Sequence, residues 1–198
     1  MTNKQEDIDL LKSCGALLEG HFLLSSGLHS QYYIQCAKIF ANHQYASAFC
    51  TRLAIKLQES LDLDKIDAVV SPAMGGILVG YELARHLDKP NYFVERVNNI
   101  FELRRGFDLS DTPNILVVED VITTGKSSLE AYKAIRANGG NIVAEASIIK
   151  RDQNLTELDD VPLISLIELN FPTYKADELP VELKNIPAIK PGSRKITS

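Results

Sequence analysis

The chain has 198 residues, 45% hydrophobic and 24% charged, with 26 acidic against 21 basic side chains and a net charge of −5. That composition is globular, the acidic balance argues against a nucleic-acid surface, and no apolar run is long enough to span a membrane. The polar, acidic start M-T-N-K-Q-E-D-I-D is expected to carry no export or transit signal, and Cys14, Cys36 and Cys50, odd in number and without a C-x-x-C, are expected to be reduced, buried thiols of a cytoplasmic protein.

From the N-terminus, Ile8, Leu11, Leu17 and Leu18 predict an amphipathic helix interrupted near Gly15, with packing as its task. His21 to Lys38, H-F-L-L-S-S-G-L-H-S-Q-Y-Y-I-Q-C-A-K, predicts a hairpin turning at Ser26-Gly27. Ser25, Ser26, His29 and Ser30 gather at the turn, and Tyr32 and Tyr33 follow, an arrangement able to cover a planar base. A hairpin that merely covers the core explains the same pattern. Gln44 to Leu61 is a helix, with Ala46, Phe49, Cys50, Leu53, Ala54 and Leu57 at helical spacing. Ile66 to Val70 is a buried strand, and Pro72 to Gly76 a tight loop whose Gly75-Gly76 lets backbone approach an anion at a helix start. Asn91 to Glu95 is a third strand, running into Arg96. Val97 to Pro113 holds a small hairpin built on Ile100, Phe101, Leu103 and Phe107, with Arg104, Arg105 and Gly106 at its centre; an exposed ribbon with scattered charges would read alike.

Asn114 to Ser128, N-I-L-V-V-E-D-V-I-T-T-G-K-S-S, carries the most specific chemistry. Ile115 to Val118 fits a strand buried on both faces, and Leu129, Tyr132 and Ile135 continue at helical spacing. Between them lie hydroxyls, a glycine and the N–H groups of a helix start, Thr123 to Ser128, a site for a phosphate dianion. Glu119 and Asp120 would repel a phosphate, so they suit the vicinal hydroxyls of a ribose, or a metal bridging sugar and pyrophosphate. Gly125-Lys126-Ser127 imitates the end of a P-loop, but that motif needs a glycine where Asp120 stands. Asn138-Gly139-Gly140 stops the helix. Ile142 to Ile149 is the next strand, closed by Lys150-Arg151-Asp152, and Val161 to Leu169 a further one. The remainder, with Pro172, Pro180, Pro187 and Pro191, reads as an irregular docked tail. The fold class is α/β: a mainly parallel Rossmann-like sheet of about five strands with helices on both faces. A small hood from the two chain ends (roughly 1–40 and 165–198) covers a core of roughly 41–164, with a loop at roughly 97–113, all in one domain.

Val117 to Ser128 resembles the signature by which type I phosphoribosyltransferases bind 5-phosphoribosyl 1-pyrophosphate (PRPP), and the V-I-T-T-G variant is most similar to the orotate phosphoribosyltransferases. The hood matches their pattern F-x-L-x-S-G-x-x-S-x-x-Y, with Ser25 where many members carry lysine, and the ending I-P-A-I-K-P-G-S-R resembles one branch of them, so the resemblance covers nearly the whole chain. It implies Mg²⁺-dependent transfer of ribose 5-phosphate from PRPP to orotate in pyrimidine synthesis, giving orotidine 5′-monophosphate and pyrophosphate. It also implies a homodimer exchanging the 97–113 loop between sites, and no nucleic-acid or membrane partner. By residue, Thr123, Thr124, Gly125, Lys126 and Ser127 would hold the 5-phosphate, Glu119 and Asp120 the ribose hydroxyls, and Val121 and Ile122 would join them in the PRPP site. Gly75 and Gly76, through backbone, and Arg96 would meet pyrophosphate, with Arg104 and Arg105 placed there by chemistry. Arg151 matches the orotate-binding arginine, joined by Thr123, Ser26, Tyr32 and Tyr33. The metal would be held mainly by PRPP and water, with Asp120 its candidate protein ligand. A purine enzyme of the same fold should lack both the S-S-G-L-H-S hood and an arginine like Arg151. A nucleic-acid-binding regulator would want a basic face.

Overall fold

The computed structural model describes residues 4–24 and 26–191; Ser25 and the Gly192–Lys195 part of the tail motif lie outside the described residues. Helix α1 (Lys4–Ser13) ends before Gly15, which takes a left-handed φ of 71°. Leu17 and Leu18 therefore do not continue the helix as expected. They open β1 (Leu17–Leu23), where Leu17 is buried and Leu18 exposed in strand alternation. β1 pairs antiparallel with β2 (His29–Ile34).

After α2 (His43–Ser60) come β3 (Ala68–Pro72), α3 (Gly75–Leu87), β4 (Asn91–Val97) and β5 (Ile100–Leu103). Then follow β6 (Asn114–Ile122), α4 (Lys126–Ala137), β7 (Asn141–Lys150), β8 (Glu157–Leu158) and β9 (Val161–Glu168). The main sheet has the order β5-β4-β3-β6-β7-β9-β8. Its five inner strands are parallel, as the alternation of strand and helix predicts, and an antiparallel strand is added at each edge. Strand β6 is buried on both faces. Leu116 and Val118 join the core under α2 and α3, while Ile115 and Val117 join Ala131, Tyr132 and Ile135 of α4. The chain leaves β3 outward to β4, then returns to β6 and runs outward the other way, so the sheet reverses direction between β3 and β6. A crevice forms there beyond the strand ends.

The tail supplies β10 (Thr173–Tyr174), which pairs with β2, and α5 (Val181–Lys184). Ile189 exchanges backbone hydrogen bonds with His21 and Leu23 of β1. His21 is buried and ties the three pieces together, Nδ1 donating to the Ile186 carbonyl at 2.7 Å and Nε2 lying 2.7 Å from His29 Nδ1. Among the described residues, Cys36 and Cys50 are buried thiols and Cys14 is only half-buried. No described helix is long and apolar enough to cross a membrane.

Helix α3 reaches the crevice because it lies unusually close to β3. A Cβ on Gly80 would fall 1.9 Å from Ser71 Oγ and 3.0 Å from Asn91 Oδ1. An alanine normally favours a helix over glycine by about 1 kcal/mol. Here Gly80→Ala should instead destabilise by roughly 1–3 kcal/mol through overpacking, read as a lower melting temperature, and Ser71→Ala in the same chain should recover part of the loss. A single variant melting at or above the unsubstituted protein would show that α3 has room to spare.

Candidate functional site

The crevice is built by two strand-to-helix turns. At the end of β6, Glu119 is buried and Asp120 half-buried, with Asp120 Oδ1 accepting the Val121 N–H at 2.8 Å. The β3–α3 turn, in which the Ala73–Met74 peptide is cis, presses against both acids. A Cβ on Gly75 would lie 2.9 Å from Asp120 Oδ1, and one on Gly76 would lie 3.3 Å from Glu119 Oε2 and 3.0 Å from the Val118 carbonyl. Cys36, just beyond β2, closes the floor with its thiol 3.8 Å from the Asp120 carbonyl. On the other side Gly125 begins α4 in a left-handed conformation, φ 71°, where a Cβ would strike Leu158 at 2.4 Å.

Both helix starts lack a side-chain cap, whereas α2 is capped by Asn42, whose Oδ1 accepts the Gln44 N–H at 2.8 Å. The first-turn N–H groups of α3 and α4 are thus left for an external acceptor, at the positive end of each helix. An open cavity of about 850 Å³ lies over α4, lined by Glu119, residues 121–128, Arg96, Asn99 and Glu130. Arg96 forms its far wall, donating to the Asn99 carbonyl at 2.9 Å and to Glu130 Oε2 at 2.5 Å, with its guanidinium 4.1 Å above the Phe101 ring.

Other expected residues are placed differently. Arg105 grips Glu95 with two bonds of 2.9 Å and Arg104 stands 3.7 Å from the same carboxylate, so both are tied within the β4–β5 ribbon and neither lines the cavity. That ribbon turns at Asn98-Asn99, both with positive φ, and Phe107 leaves it to pack between Tyr92 and Phe93. Tyr32 and Tyr33, adjacent on β2, cannot present both rings to one base. Tyr32 stacks on Phe171 at 4.5 Å, and Tyr33 turns to Phe22 at 5.7 Å. Ser26 is exposed, its hydroxyl accepting the Leu28 N–H at 3.5 Å.

Arg151 follows β7, its backbone N–H bonded to the Ile122 carbonyl at 2.9 Å, which fixes it beside the 121–128 loop. Its guanidinium is half-buried, with its pKa lowered by that burial, and has no hydrogen-bond or ion-pair partner among the described residues. Every other described arginine is in an ion pair. Lys150, before it, is fully buried, donating to the Leu155 carbonyl of the following loop at 2.8 Å and pairing with Glu168 at the end of β9 at 3.0 Å.

Sequence reasoning missed a buried acid under the crevice. Glu145 of β7 is 0% exposed and accepts the Tyr132 hydroxyl proton at 2.6 Å. The available signal was a carboxylate in the middle of the otherwise small and apolar run I-V-A-E-A-S-I-I. Burial, then the neighbouring Asp120 and Glu145, pushes Glu119 up to about 8, and burial pushes Glu145 up to about 7. Asp120 is raised by burial as well. Among the described residues no group of three or more His, Cys, Asp or Glu side chains could hold a metal ion by itself.

Comparison with known proteins agrees with this geometry. The profile of the phosphoribosyl transferase domain matches residues 37–176. The chain is 51% identical to the orotate phosphoribosyltransferase of Sphingopyxis alaskensis over 187 residues, covering 94% of this chain and 95% of that one. It is 48% identical to the orotate phosphoribosyltransferase of Novosphingobium aromaticivorans, covering 96% and 97%. The crystal structure of orotate phosphoribosyltransferase from Aeropyrum pernix superimposes with a TM-score of 0.70 at 29% identity, over 81% of this chain and 92% of that one.

The raised acid makes a prediction about the ligand-free protein. Glu119 holds its proton in the folded state up to about 8, against 4.5 when unfolded, so its contribution to stability is present at acid pH and is lost as pH rises from 4.5 through about 8. Glu119→Gln removes that loss. The melting temperature of the variant relative to the unsubstituted protein should therefore climb across this window and level off above it. A difference independent of pH would mean that Glu119 ionises at its ordinary value.

Proposed function

Because the chain belongs to the orotate phosphoribosyltransferases of the phosphoribosyl transferase domain family, we propose that it carries ribose 5-phosphate from PRPP to orotate, releasing pyrophosphate and forming orotidine 5′-monophosphate for pyrimidine synthesis. Displacement at the anomeric carbon proceeds through a cation-like transition state, so catalysis rests on positioning and electrostatics rather than on a nucleophilic side chain. In this reading the uncapped start of α4, with Val121 to Ser127, binds the 5-phosphate. Glu119 and Asp120 hold the ribose hydroxyls beside the developing positive charge. The N–H groups at Gly75 and Gly76, together with Arg96, receive pyrophosphate.

The donor set fits Mg²⁺. One or two carboxylates without a full protein cage suit an ion that keeps its waters and arrives on substrate phosphates, with Asp120 as the protein ligand. When bound, the ion neutralises pyrophosphate as it departs. The observation that carries the choice of base is Arg151. Its half-buried guanidinium beside the phosphate loop, unpartnered among the described residues, has the fork that a substrate carboxylate requires. We further infer a cytoplasmic homodimer. Met74, Leu78 and Tyr81 form an exposed apolar row on α3 at 85%, 54% and 62% exposure, a face that a second copy would cover. The Arg104–Arg105 ribbon, outside its own cavity, is then available to the neighbour's site.

The direct test is loss of orotate absorbance on mixing protein, PRPP and Mg²⁺; consumption of a purine base instead would overturn the reading. Arg151→Ala should raise KM for orotate at least about tenfold, since charge-assisted hydrogen bonds contribute roughly 1.5–3 kcal/mol each, and leave KM for PRPP nearly unchanged. Arg151→Lys should recover part of the loss. Equal weakening of both substrates would mean that the loop had lost its shape. Loop exchange has its own test. Mixing an Arg104→Ala/Arg105→Ala chain with an Asp120→Asn chain should restore activity through hybrid sites, and verified heterodimers without activity would place the whole site within one chain.

A further inference from the structure

Glu145 stands opposite Val117 in the β6–β7 register, so its side chain shares the sheet face of Val117 and Glu119, the face that α4 covers. Two α4 residues face it there, of which Tyr132 is at bonding distance. Tyr132, 1% exposed, donates its hydroxyl proton to Oε2 at 2.6 Å, and the hydroxyl of Ser128, 2% exposed, holds the carboxyl's pKa down against burial. Oε1 has no partner at bonding distance among the described residues. Ser128 and Tyr132 are one helical turn apart, so a single carboxyl on the sheet is set against the first two turns of α4.

This network is a poor way to pack a core. Fully buried acids are rare, and replacing such a group together with its partner by apolar side chains of similar shape is often neutral or stabilising. Ala131 and Ile135 already supply apolar contact between α4 and the sheet. What the network can supply, and hydrophobes cannot, is a directional restraint. Such a restraint suits α4, which starts at a left-handed glycine with no side-chain cap.

We propose that Glu145 is a positioning residue that, through its hydrogen bond to Tyr132, fixes the orientation of the first turns of α4 toward the 5-phosphate of PRPP. The proposal rests on the reading of Val121 to Ser127 as the 5-phosphate site. Its test separates binding from folding by comparing Glu145→Leu/Tyr132→Phe with Glu145→Gln in the full chain. Melting temperature, KM for PRPP, KM for orotate and the dissociation constant of ribose 5-phosphate are measured for each.

The double variant should melt at or above the unsubstituted protein, yet lose affinity for PRPP and for ribose 5-phosphate by about tenfold, the loss of one or two hydrogen bonds' worth of restraint. KM for orotate should stay within about twofold, a change of under 0.5 kcal/mol. Glu145→Gln, whose amide oxygen can still accept from Tyr132, should recover most of the affinity. If the double variant does not fold, Tyr132→Phe alone should show the same selective loss at smaller size. Unchanged PRPP and ribose 5-phosphate affinity would overturn the proposal. So would equal weakening of both substrates with a lowered melting temperature, or a Gln variant as weak as the double. Ribose 5-phosphate binding reports on this network even if orotate is not turned over, so the two readings fail separately.

Discussion

The crevice depends on one close approach, that of the Gly75-Gly76 turn to the carboxyls of Asp120 and Glu119. A side chain at either glycine would have to displace a carboxyl or the Val118 carbonyl, and α3 would move away from β6. Gly80, one turn beyond Gly76, continues the same contact against Ser71. Without these glycines the starts of α3 and α4 would diverge, and the N–H groups that the topology gathers at the reversal between β3 and β6 would no longer share one ligand. The fold class provides a place for a ligand; the missing side chains make the place small enough to bind both ends of one.

That closeness has an electrostatic consequence. Packing Glu119 and Asp120 together under a turn removes water from both, and burial, reinforced for Glu119 by its neighbours, raises their proton affinity. In the empty crevice near neutral pH Glu119 therefore keeps its proton and adds little negative charge to what an incoming polyphosphate meets. The same carboxyls become good acceptors once positive charge is brought beside them, whether a metal ion or the developing charge on the sugar. The acids are placed to respond to the reacting centre rather than to repel the substrate that carries it. The uncapped helix starts favour ionisation for the same reason that they favour phosphate.

Much of this was legible because it is local. The strand, the acid pair, the hydroxyl-rich turn and the helix from Asn114 to Ile135 are contiguous, so their spacing alone describes half of the crevice. The five parallel strands follow from short apolar runs alternating with helical spacing. What was not legible depends on partners far away in the chain or on strand parity. Glu95, which holds Arg104 and Arg105, lies across a hairpin that turns at Asn98-Asn99 and not, as the sequence suggests, around Arg104-Arg105-Gly106. Leu17 and Leu18 fit a helical pattern until the left-handed Gly15 ends it. Tyr32 and Tyr33 look paired in sequence, but a strand sends neighbours to opposite faces. Glu145 reads as one polar residue among small ones, and its partner Tyr132 is 13 residues away on α4.

The distribution of positive charge separates anion binding from base choice. Arg96, at the edge of the cavity, is already engaged by Glu130, by the Asn99 carbonyl and by the Phe101 ring. Its charge is thus largely compensated within the protein, so in the proposed reading phosphate falls mainly to the helix-start N–H groups and to Lys126, which also lines the cavity. Arg151 is in the opposite condition, half-buried with its solvation reduced and no protein acceptor in exchange among the described residues. A desolvated guanidinium gains most from an acceptor that completes its fork, and a base without a carboxylate would leave it still unpaired. In the proposed reading, selectivity for an acidic base then follows less from added attraction than from the cost of closing the site over an uncompensated cation. That is the kind of discrimination a shared fold can acquire by changing one residue at the end of one strand.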